Sequence, residues 1–182
     1  MIRDATVLDS AGRALRLGAL LEGPTLVIFL RHWGCVECSL LLTALGPRLE
    51  EIASLGVRVV MVGLGSVAGI TKFTARYRLS GSQVIVVTDP TLRAHEAAGL
   101  KKSLWGVGGP QANWTIASNW LQGHPNSLGD GDIWQLGGAV LLDRGGAEVW
   151  RHDNARLGDL APHTRIVDEV LRMRALEARW TT

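Results

Sequence analysis

The sequence feature with the clearest chemical potential is a pair of cysteines, Cys35 and Cys38, in the stretch RHWGCVECSLLL at residues 31–42. Their C-x-x-C spacing is compatible with a redox couple, with part of a metal site, or with two small residues packed in a helix. They are the only two cysteines of the chain, so there is no disulfide framework. In a reducing compartment such a pair is more often catalytic or metal-binding than a structural cross-link.

The position of the pair favours redox chemistry. The preceding run GPTLVIFLRHW is nearly continuous in apolar residues, as in a strand buried on both faces, and the following SLLLTALG has helical spacing. A thiol at a helix N-terminus meets unpaired backbone N–H groups, which favour the thiolate. We expect Cys35 at this exposed helix end and Cys38 one turn further in, close enough to form a disulfide.

Charged neighbours should adjust the acidity of Cys35. Arg31 and His32 add positive charge next to the pair, whereas Glu37 between the cysteines opposes a thiolate. These effects predict a moderately lowered pKa for Cys35. We therefore expect Arg31 and His32 to belong to the catalytic site together with Cys35 and Cys38.

The elements that must position the cysteines follow from hydrophobic periodicity. Two more buried strands, VRVVMVG and VIVVTD, alternate with helical segments, and a hairpin around Arg144 precedes an amphipathic C-terminal helix. An opening hairpin is predicted at residues 3–17. This order predicts one α/β domain over residues 1–182 with a thioredoxin-like fold, in which helices flank both faces of a mixed central sheet.

Composition places broad limits on the partners. The 182 residues are 47% apolar and carry a formal net charge of +2, without a basic patch that would suggest nucleic acid. No apolar stretch has the length of a signal peptide or of a membrane span. We expect a cytoplasmic protein with neither nucleic acid nor membrane as a partner, and the oligomeric state stays open.

A tryptophan-rich insertion lies between residues 101 and 135, before the C-terminal hairpin. It holds four of the seven tryptophans, namely Trp105, Trp114, Trp120 and Trp134. These rings either cover the sheet as a satellite core or form an aromatic wall over the cysteines that binds a small organic substrate. For the second case the expected substrate-binding residues are Trp33, Trp105, Trp134, Gly137 and Gly138.

A glycine motif offers a dinucleotide-binding alternative. Gly63, Gly65 and Gly69 follow a predicted strand and open a helix, and Asp89 ends the next strand. Such glycines can approach a pyrophosphate while the acid binds a ribose hydroxyl. The spacing differs from the usual G-x-G-x-x-G, however, so a tight turn with close helix packing is the favoured interpretation.

A third alternative is a non-catalytic binding module that uses the Trp-rich pocket or a Cys/His metal site. His32, Cys35 and Cys38 supply three ligand types at close spacing, but structural zinc usually needs a second knuckle and the chain has none. We therefore expect no metal. The other four histidines are scattered, and surface or capping positions are expected for His95, His124, His152 and His163.

Three segments carry a family resemblance. FLRHWGCVEC, VTDPTLRAHEAAGLKKSLW and WQLGGAVLLDRGGAEVWRH, in this order and spacing, resemble the peroxiredoxin-like 2 branch of the AhpC/TSA group. The resemblance extends from about residue 5 to about residue 175. It implies a thioredoxin-like fold and thiol-based redox chemistry.

The chain departs from both typical relatives. Typical peroxiredoxins carry a proline seven residues and a threonine three residues before the attacking cysteine. With Cys38 in that role, Arg31 and Cys35 occupy these positions. In thioredoxins a cis-proline faces the cysteines, whereas here Gly137-Gly138 takes that place, so we expect an ordinary trans link.

Together these features predict a thiol-dependent oxidoreductase that reduces a peroxide, an endoperoxide or a small disulfide. Cys35 and Cys38 would cycle between dithiol and disulfide, without a bound cofactor. The expected partners are a small-molecule substrate and an external thiol or thioredoxin-like electron donor. The family registration favours attack by Cys38, but we expect the more exposed Cys35 to be the nucleophile.

Overall fold

The computed structural model describes residues 2–79, 84–110, 114, 117–118, 121 and 131–180. Seven strands of this described chain form one mixed sheet in the order β2-β1-β5-β4-β3-β6-β7. The strands are β1 (Thr6–Leu8), β2 (Ala14–Arg16), β3 (Thr25–His32), β4 (Arg58–Leu64), β5 (Val84–Thr88), β6 (Gly138–Leu142) and β7 (Glu148–Asp153). The three central strands β3, β4 and β5 are parallel, and the remaining pairs are antiparallel.

The helices confirm the predicted alternation. They are α1 (Val36–Leu45), α2 (Leu49–Ser54), α3 (Val67–Arg76), α4 (Arg93–Ala97), α5 (Leu104–Gly108) and the C-terminal helix α6 (His163–Trp180). A 3-10 turn at Gly46–Arg48 separates α1 from α2, because Pro47 has no N–H to continue the helical hydrogen bonds. Gly56, with a φ of +72°, follows α2 as the predicted terminating glycine.

The sheet carries an apolar layer on each face. In β3 the even-numbered Leu26, Ile28 and Leu30 join the core formed with α1, α2, α3 and α6. The odd-numbered Val27 and Phe29 join the opposite core with α4. The prediction of helices on both faces is confirmed. All eight residues of β3 are buried, which makes this strand a rigid support for whatever follows it.

The end of β3 contains a bulge. Phe29 pairs with Val62 and His32 pairs with Leu64, so two residues of β3 lie opposite one residue of β4. The chain then turns sharply, and the Cys35 N–H donates to the His32 carbonyl at 3.0 Å. The bulge and this turn join the buried strand to the first residue before α1.

The predicted irregular segment between residues 101 and 135 contains α5 in its described part. Trp120 and His124 lie outside the described residues. Within the described chain, no helix is both long enough and apolar enough to cross a membrane.

Candidate active site

The two cysteines lie at the junction of β3 and α1, as predicted, but both are buried. Cys35 is the N-cap residue of α1 with an extended backbone, and its thiol and that of Cys38 are free. Only 4% of Cys35 and 5% of Cys38 is exposed. The prediction that Cys35 is the more exposed cysteine is therefore wrong, because the Arg31 side chain packs against its sulfur.

Arg31 is the centre of a buried hydrogen-bond network. Its Nη1 donates to the Cys35 sulfur at 3.3 Å and lies 3.4 Å from Oε2 of Glu37. Its Nε donates to the Gln135 carbonyl at 3.0 Å, and its Nη2 donates to the Ile133 carbonyl. The guanidinium is thus held by backbone acceptors about a hundred residues away and presents one nitrogen to the thiol.

The environment makes the two thiols unequal. A hydrogen bond from the Cys38 thiol, aided by the Arg31 charge and opposed by burial and Glu37, lowers the pKa of Cys35 to about 7. The same hydrogen bond, together with burial, raises the pKa of Cys38 well above its ordinary value. The lowered pKa expected for Cys35 is confirmed, although its largest cause is Cys38. As the pH rises through neutrality, Cys35 therefore loses its proton while Cys38 keeps its own.

Glu37 is almost fully buried beside the thiols. Burial raises the pKa of its carboxyl group, while the Gly158 N–H and Arg31 oppose this rise. The Gly158 N–H donates to Oε1, and Arg31 approaches Oε2. Nothing in the sequence pattern indicated that Glu37 links α1 to the segment before α6, since Gly158 is 121 residues away.

His32 does not supply the positive charge that its position suggested. Burial, followed by the repulsion of Arg31, lowers the pKa of His32 to about 4. Its Nδ1 is buried without a hydrogen-bond partner in the described part of the chain. His32 is therefore neutral at pH 7, and the prediction that it assists thiolate formation by its charge is wrong.

A small cavity of about 20 Å³ borders the site. Its lining includes Arg31, Glu37, Cys38, Gly137, Gly138 and Asn154. A cavity of this size holds about one water-sized molecule. Gly137 and Gly138 thus lie at the site as predicted, whereas Trp33, Trp105 and Trp134 do not line the cavity.

The close approach of β3 and β6 requires a glycine at position 137. A Cβ atom there would lie 2.4 Å from the Phe29 carbonyl oxygen. No cis peptide bond occurs among the described residues, so the expected trans link at Gly137-Gly138 is confirmed. Gly137 thus allows the backbone to lie directly against β3, whereas a Cβ atom at Gly138 would meet the His152 carbonyl oxygen of β7 at 2.7 Å.

Trp33 explains two of the glycines in the candidate dinucleotide motif. Its Nε1 donates to the Ser66 carbonyl at 3.0 Å, and its ring contacts Phe73 with centroids 5.0 Å apart. A Cβ atom would lie 2.3 Å from the Trp33 ring at Gly63 and 2.0 Å from it at Gly69. The prediction of Trp33 as a substrate-binding residue is wrong, because the indole packs between β4 and α3.

The carboxylate of Asp89 is also engaged in hydrogen bonds within the protein. It is fully buried, and Oδ2 accepts hydrogen bonds from the Ala94 N–H and from Nδ1 of His95. A ribose hydroxyl would have no access to this carboxylate. The close-packing interpretation of the glycine motif is therefore confirmed, and the surface position expected for His95 is wrong because its side chain is completely buried.

The described tryptophans of the insertion form neither a satellite core nor a wall over the cysteines. Trp105 is 85% exposed and Trp114 is 75% exposed. Trp134 is partly exposed and lies against Gly108 of α5. Neither ring lines the cavity beside Cys38, and the assignment of Trp105 and Trp134 as substrate-binding residues stays a prediction. The exposure of Trp105 and Trp114 means that these two rings do not contribute the buried apolar area of a satellite core in the described part of the insertion.

The described residues contain no group of three or more His, Cys, Asp or Glu side chains arranged to hold a metal ion. His32 and the two cysteines are close in sequence, but the Cys35 sulfur instead accepts a hydrogen bond from Arg31.

Comparison with known proteins relates this site to a family. A family model described as AhpC/TSA antioxidant enzyme matches residues 44–156, a range that begins after the cysteines. The thioredoxin-like protein AAED1, chloroplastic, of Arabidopsis thaliana is 24% identical over 177 residues, which cover 91% of this chain and 68% of the relative.

Two solved structures resemble this chain over most of its length. A bacterioferritin comigratory protein of Xanthomonas campestris has a TM-score of 0.65 at 14% identity and covers 95% of this chain and 94% of its own. A secreted Mycobacterium tuberculosis disulfide oxidoreductase homologous to E. coli DsbE has a TM-score of 0.56 at 14% identity, covering 94% and 97%. The predicted thioredoxin-like fold is confirmed by these likenesses.

Proposed function

We propose that this chain, which belongs to the AhpC/TSA antioxidant enzyme family, is a thiol-dependent oxidoreductase in which Cys35 and Cys38 form a dithiol/disulfide couple. One observation carries the proposal. The Arg31 guanidinium donates a hydrogen bond to the Cys35 sulfur at 3.3 Å, and interaction with the neighbouring Cys38 thiol lowers the pKa of Cys35 while raising that of Cys38. A thiolate next to a protonated thiol is the arrangement that a two-step reduction requires.

The chemistry uses both sulfurs in order. The Cys35 thiolate attacks one oxygen of a hydroperoxide, the O–O bond breaks, and Cys35 becomes a sulfenic acid. The leaving oxygen takes the Cys38 proton and departs as an alcohol or as water. The Cys38 thiolate then attacks the sulfenic sulfur, which forms the disulfide and releases hydroxide. The dithiol loses two electrons, and the O–O bond gains them.

Burial of the site favours a small substrate. Both sulfurs are nearly inaccessible, and the cavity beside Cys38 has room for about one water-sized molecule. Among the peroxide, endoperoxide and small disulfide considered, a small hydroperoxide needs the least rearrangement to reach the pair. A folded protein disulfide would need the Arg31 side chain to move away from Cys35.

The charge distribution favours Cys35 as the nucleophile. The thiolate is the reactive species, and the lowered pKa belongs to Cys35 whereas that of Cys38 is raised. Arg31 would stabilise the thiolate and, from its place at the cavity wall, could also donate to a peroxide oxygen. The lowered pKa of Cys35 therefore supports its role as the nucleophile, whereas its exposure, which is as low as that of Cys38, does not.

Regeneration requires an external reductant. The disulfide would be reduced by thiol exchange with a small thiol or a thioredoxin-like donor, and no bound cofactor takes part. This step requires Cys35 to be reached by another sulfur. The donor therefore has to displace the Arg31 side chain or enter when the site opens.

The proposal is tested by oxidation of the reduced protein with one equivalent of hydrogen peroxide. Intact mass spectrometry should show loss of two hydrogen atoms, reversed by dithiothreitol. Cys38→Ser should stop at a sulfenic acid on Cys35 that dimedone traps, and Cys35→Ser should not react. Steady-state turnover with a panel of hydroperoxides and small disulfides then ranks the substrates. Inert wild-type thiols would refute the function, and oxidation of Cys38 in Cys35→Ser would refute the order of attack.

A further inference from the structure

The peptide unit between Leu30 and Arg31 connects the cysteine site to a buried histidine. The bulge in β3 leaves both residues out of the register with β4. The Leu30 carbonyl lies 3.0 Å from Nε2 of His95, and the Arg31 N–H faces the Cys38 sulfur. The Arg31 side chain meanwhile contacts Cys35. The Arg31 backbone therefore faces Cys38, and the Arg31 side chain contacts Cys35.

His95 is held firmly in this position. Its Nδ1 lies 3.1 Å from Oδ2 of Asp89, both side chains are fully buried, and its ring stacks edge-on against Phe29. Burial raises the pKa of Asp89, but hydrogen bonds and charge from His95 outweigh this and hold the pKa below its ordinary value. Both ring nitrogens lie within hydrogen-bond distance of oxygen atoms, so a hydrogen on Nε2 would be donated to the Leu30 carbonyl.

We propose that His95, oriented by Asp89, is a positioning residue for the cysteine pair, holding the Leu30–Arg31 peptide so that its N–H meets Cys38 and its side chain meets Cys35. This inference rests on the proposed thiol function of the same site. Without the Nε2 donor, the Leu30 carbonyl, which lies in the bulge, would lose its contact with His95. Rotation of that peptide would displace both contacts of Arg31.

A purely structural role makes a different prediction. Asp89 also accepts the N–H groups of Ala94 and His95 at the start of α4, so loss of the pair would weaken this helix in any case. A structural role changes the free energy of unfolding but leaves the acidity of the thiols unchanged. A positioning role changes that acidity in the folded protein.

Two substitutions separate the contacts of His95. The amide of His95→Gln can place a donor near the Nε2 position and keep the Leu30 contact, whereas His95→Asn reaches only the Nδ1 position. Both remove the imidazole ring. Thr91→Val is the matched control, because Thr91 Oγ1 donates to the other Asp89 oxygen at 3.0 Å without contacting His95.

The measurement is the rate of iodoacetamide alkylation of Cys35 against pH, with the modified sulfur mapped by mass spectrometry. His95→Asn should raise the apparent pKa of Cys35 by about one unit, and His95→Gln should raise it by less than half as much. Thr91→Val should match the wild type. Equal profiles for folded His95→Asn and wild type, or an equal shift in Thr91→Val, would overturn the proposal.

A second measurement needs no variant and covers the case in which His95→Asn does not fold. In wild-type protein labelled with 15N histidine, His95 should show hydrogen on Nε2, which faces the Leu30 carbonyl. An unprotonated Nε2 would overturn the proposal, since it cannot donate to Leu30. Neither measurement uses a peroxide or a reductant, so an inert enzyme with these signatures would refute the proposed function and leave the positioning role standing.

Discussion

Replacement of Arg31 by methionine should raise the pKa of Cys35 by about one to three units. The guanidinium nitrogen lies 3.3 Å from the sulfur, so at an effective dielectric constant of about 20 the direct attraction is at most about 5 kcal/mol. Glu37 shares the same nitrogen at 3.4 Å and cancels part of this attraction. With a wild-type pKa of about 7, a rise of one unit reduces the thiolate fraction at pH 7 from about one half to about one tenth.

The assay is alkylation of the reduced protein between pH 5 and pH 10, followed by identification of the modified cysteine. At pH 7 the rate for Arg31→Met should fall at least about fivefold. Arg31→Lys keeps a positive charge but loses the planar guanidinium group that binds the Gln135 and Ile133 carbonyls. Its alkylation profile should therefore lie between those of the wild type and Arg31→Met. Arg58→Met is the matched control, because Arg58 also donates to a backbone carbonyl, that of Leu20.

Stability has to be measured alongside reactivity. Arg31 is buried, and its loss leaves Glu37 without its cation, which typically costs about 3–5 kcal/mol. Urea unfolding defines the conditions under which each variant is folded. A folded Arg31→Met protein that retained the wild-type alkylation profile would refute the reasoning, since the Cys38 hydrogen bond and the helix end would then account for the acidity alone.

Two further predictions concern residues whose roles the structure reassigned. The pKa of His32 is lowered from 6.5 to about 4, so between these values the unfolded chain binds a proton that the folded protein does not. The free energy of unfolding of the wild type should therefore fall by about 3 kcal/mol, relative to that of His32→Gln, as the pH decreases through this range. Urea titrations at several pH values measure this difference. Parallel pH profiles of the two proteins would contradict a buried neutral histidine. Gly69→Ala should destabilise the protein by about 1–3 kcal/mol, because the new Cβ atom meets the Trp33 ring. In a Trp33→Ala background the same substitution should destabilise the protein less, as measured by urea unfolding. An equal destabilisation in both backgrounds would show that the Trp33 ring does not clash with the new Cβ atom.

Much of the fold was accessible from local patterns. Continuous apolar runs predicted the strands β3, β4 and β5, because a strand covered on both faces has no polar side. β3 and β4 are almost wholly buried, whereas the first three residues of β5 are only partly buried. The alternation of these runs with helical segments then limited the topology to a mixed sheet. Pro47 marked the break after α1, because proline has no backbone N–H to donate to the helix. Gly56 marked the end of α2, because glycine readily adopts a positive φ. Both effects are local to the residue.

The location of the site was predictable for the same reason. Cys35, Cys38 and Arg31 lie within eight consecutive residues, and the strand-to-helix junction that brings them together is itself a local feature. The opposing charge of Glu37 could be anticipated from its position between the cysteines. The glycine motif was ambiguous, since the sequence does not show that the Trp33 ring occupies the space beside Gly63 and Gly69.

By itself, the sequence determined which chemical groups meet at the end of β3, because chain connectivity keeps neighbours together. Only the tertiary structure decided their charge states. The Gln135 carbonyl fixes Arg31 from 104 residues away, and this packing buries Cys35 and makes His32 neutral. A pKa depends on desolvation and on charges within a few ångströms, and both are set by segments that the sequence near the cysteines does not contain.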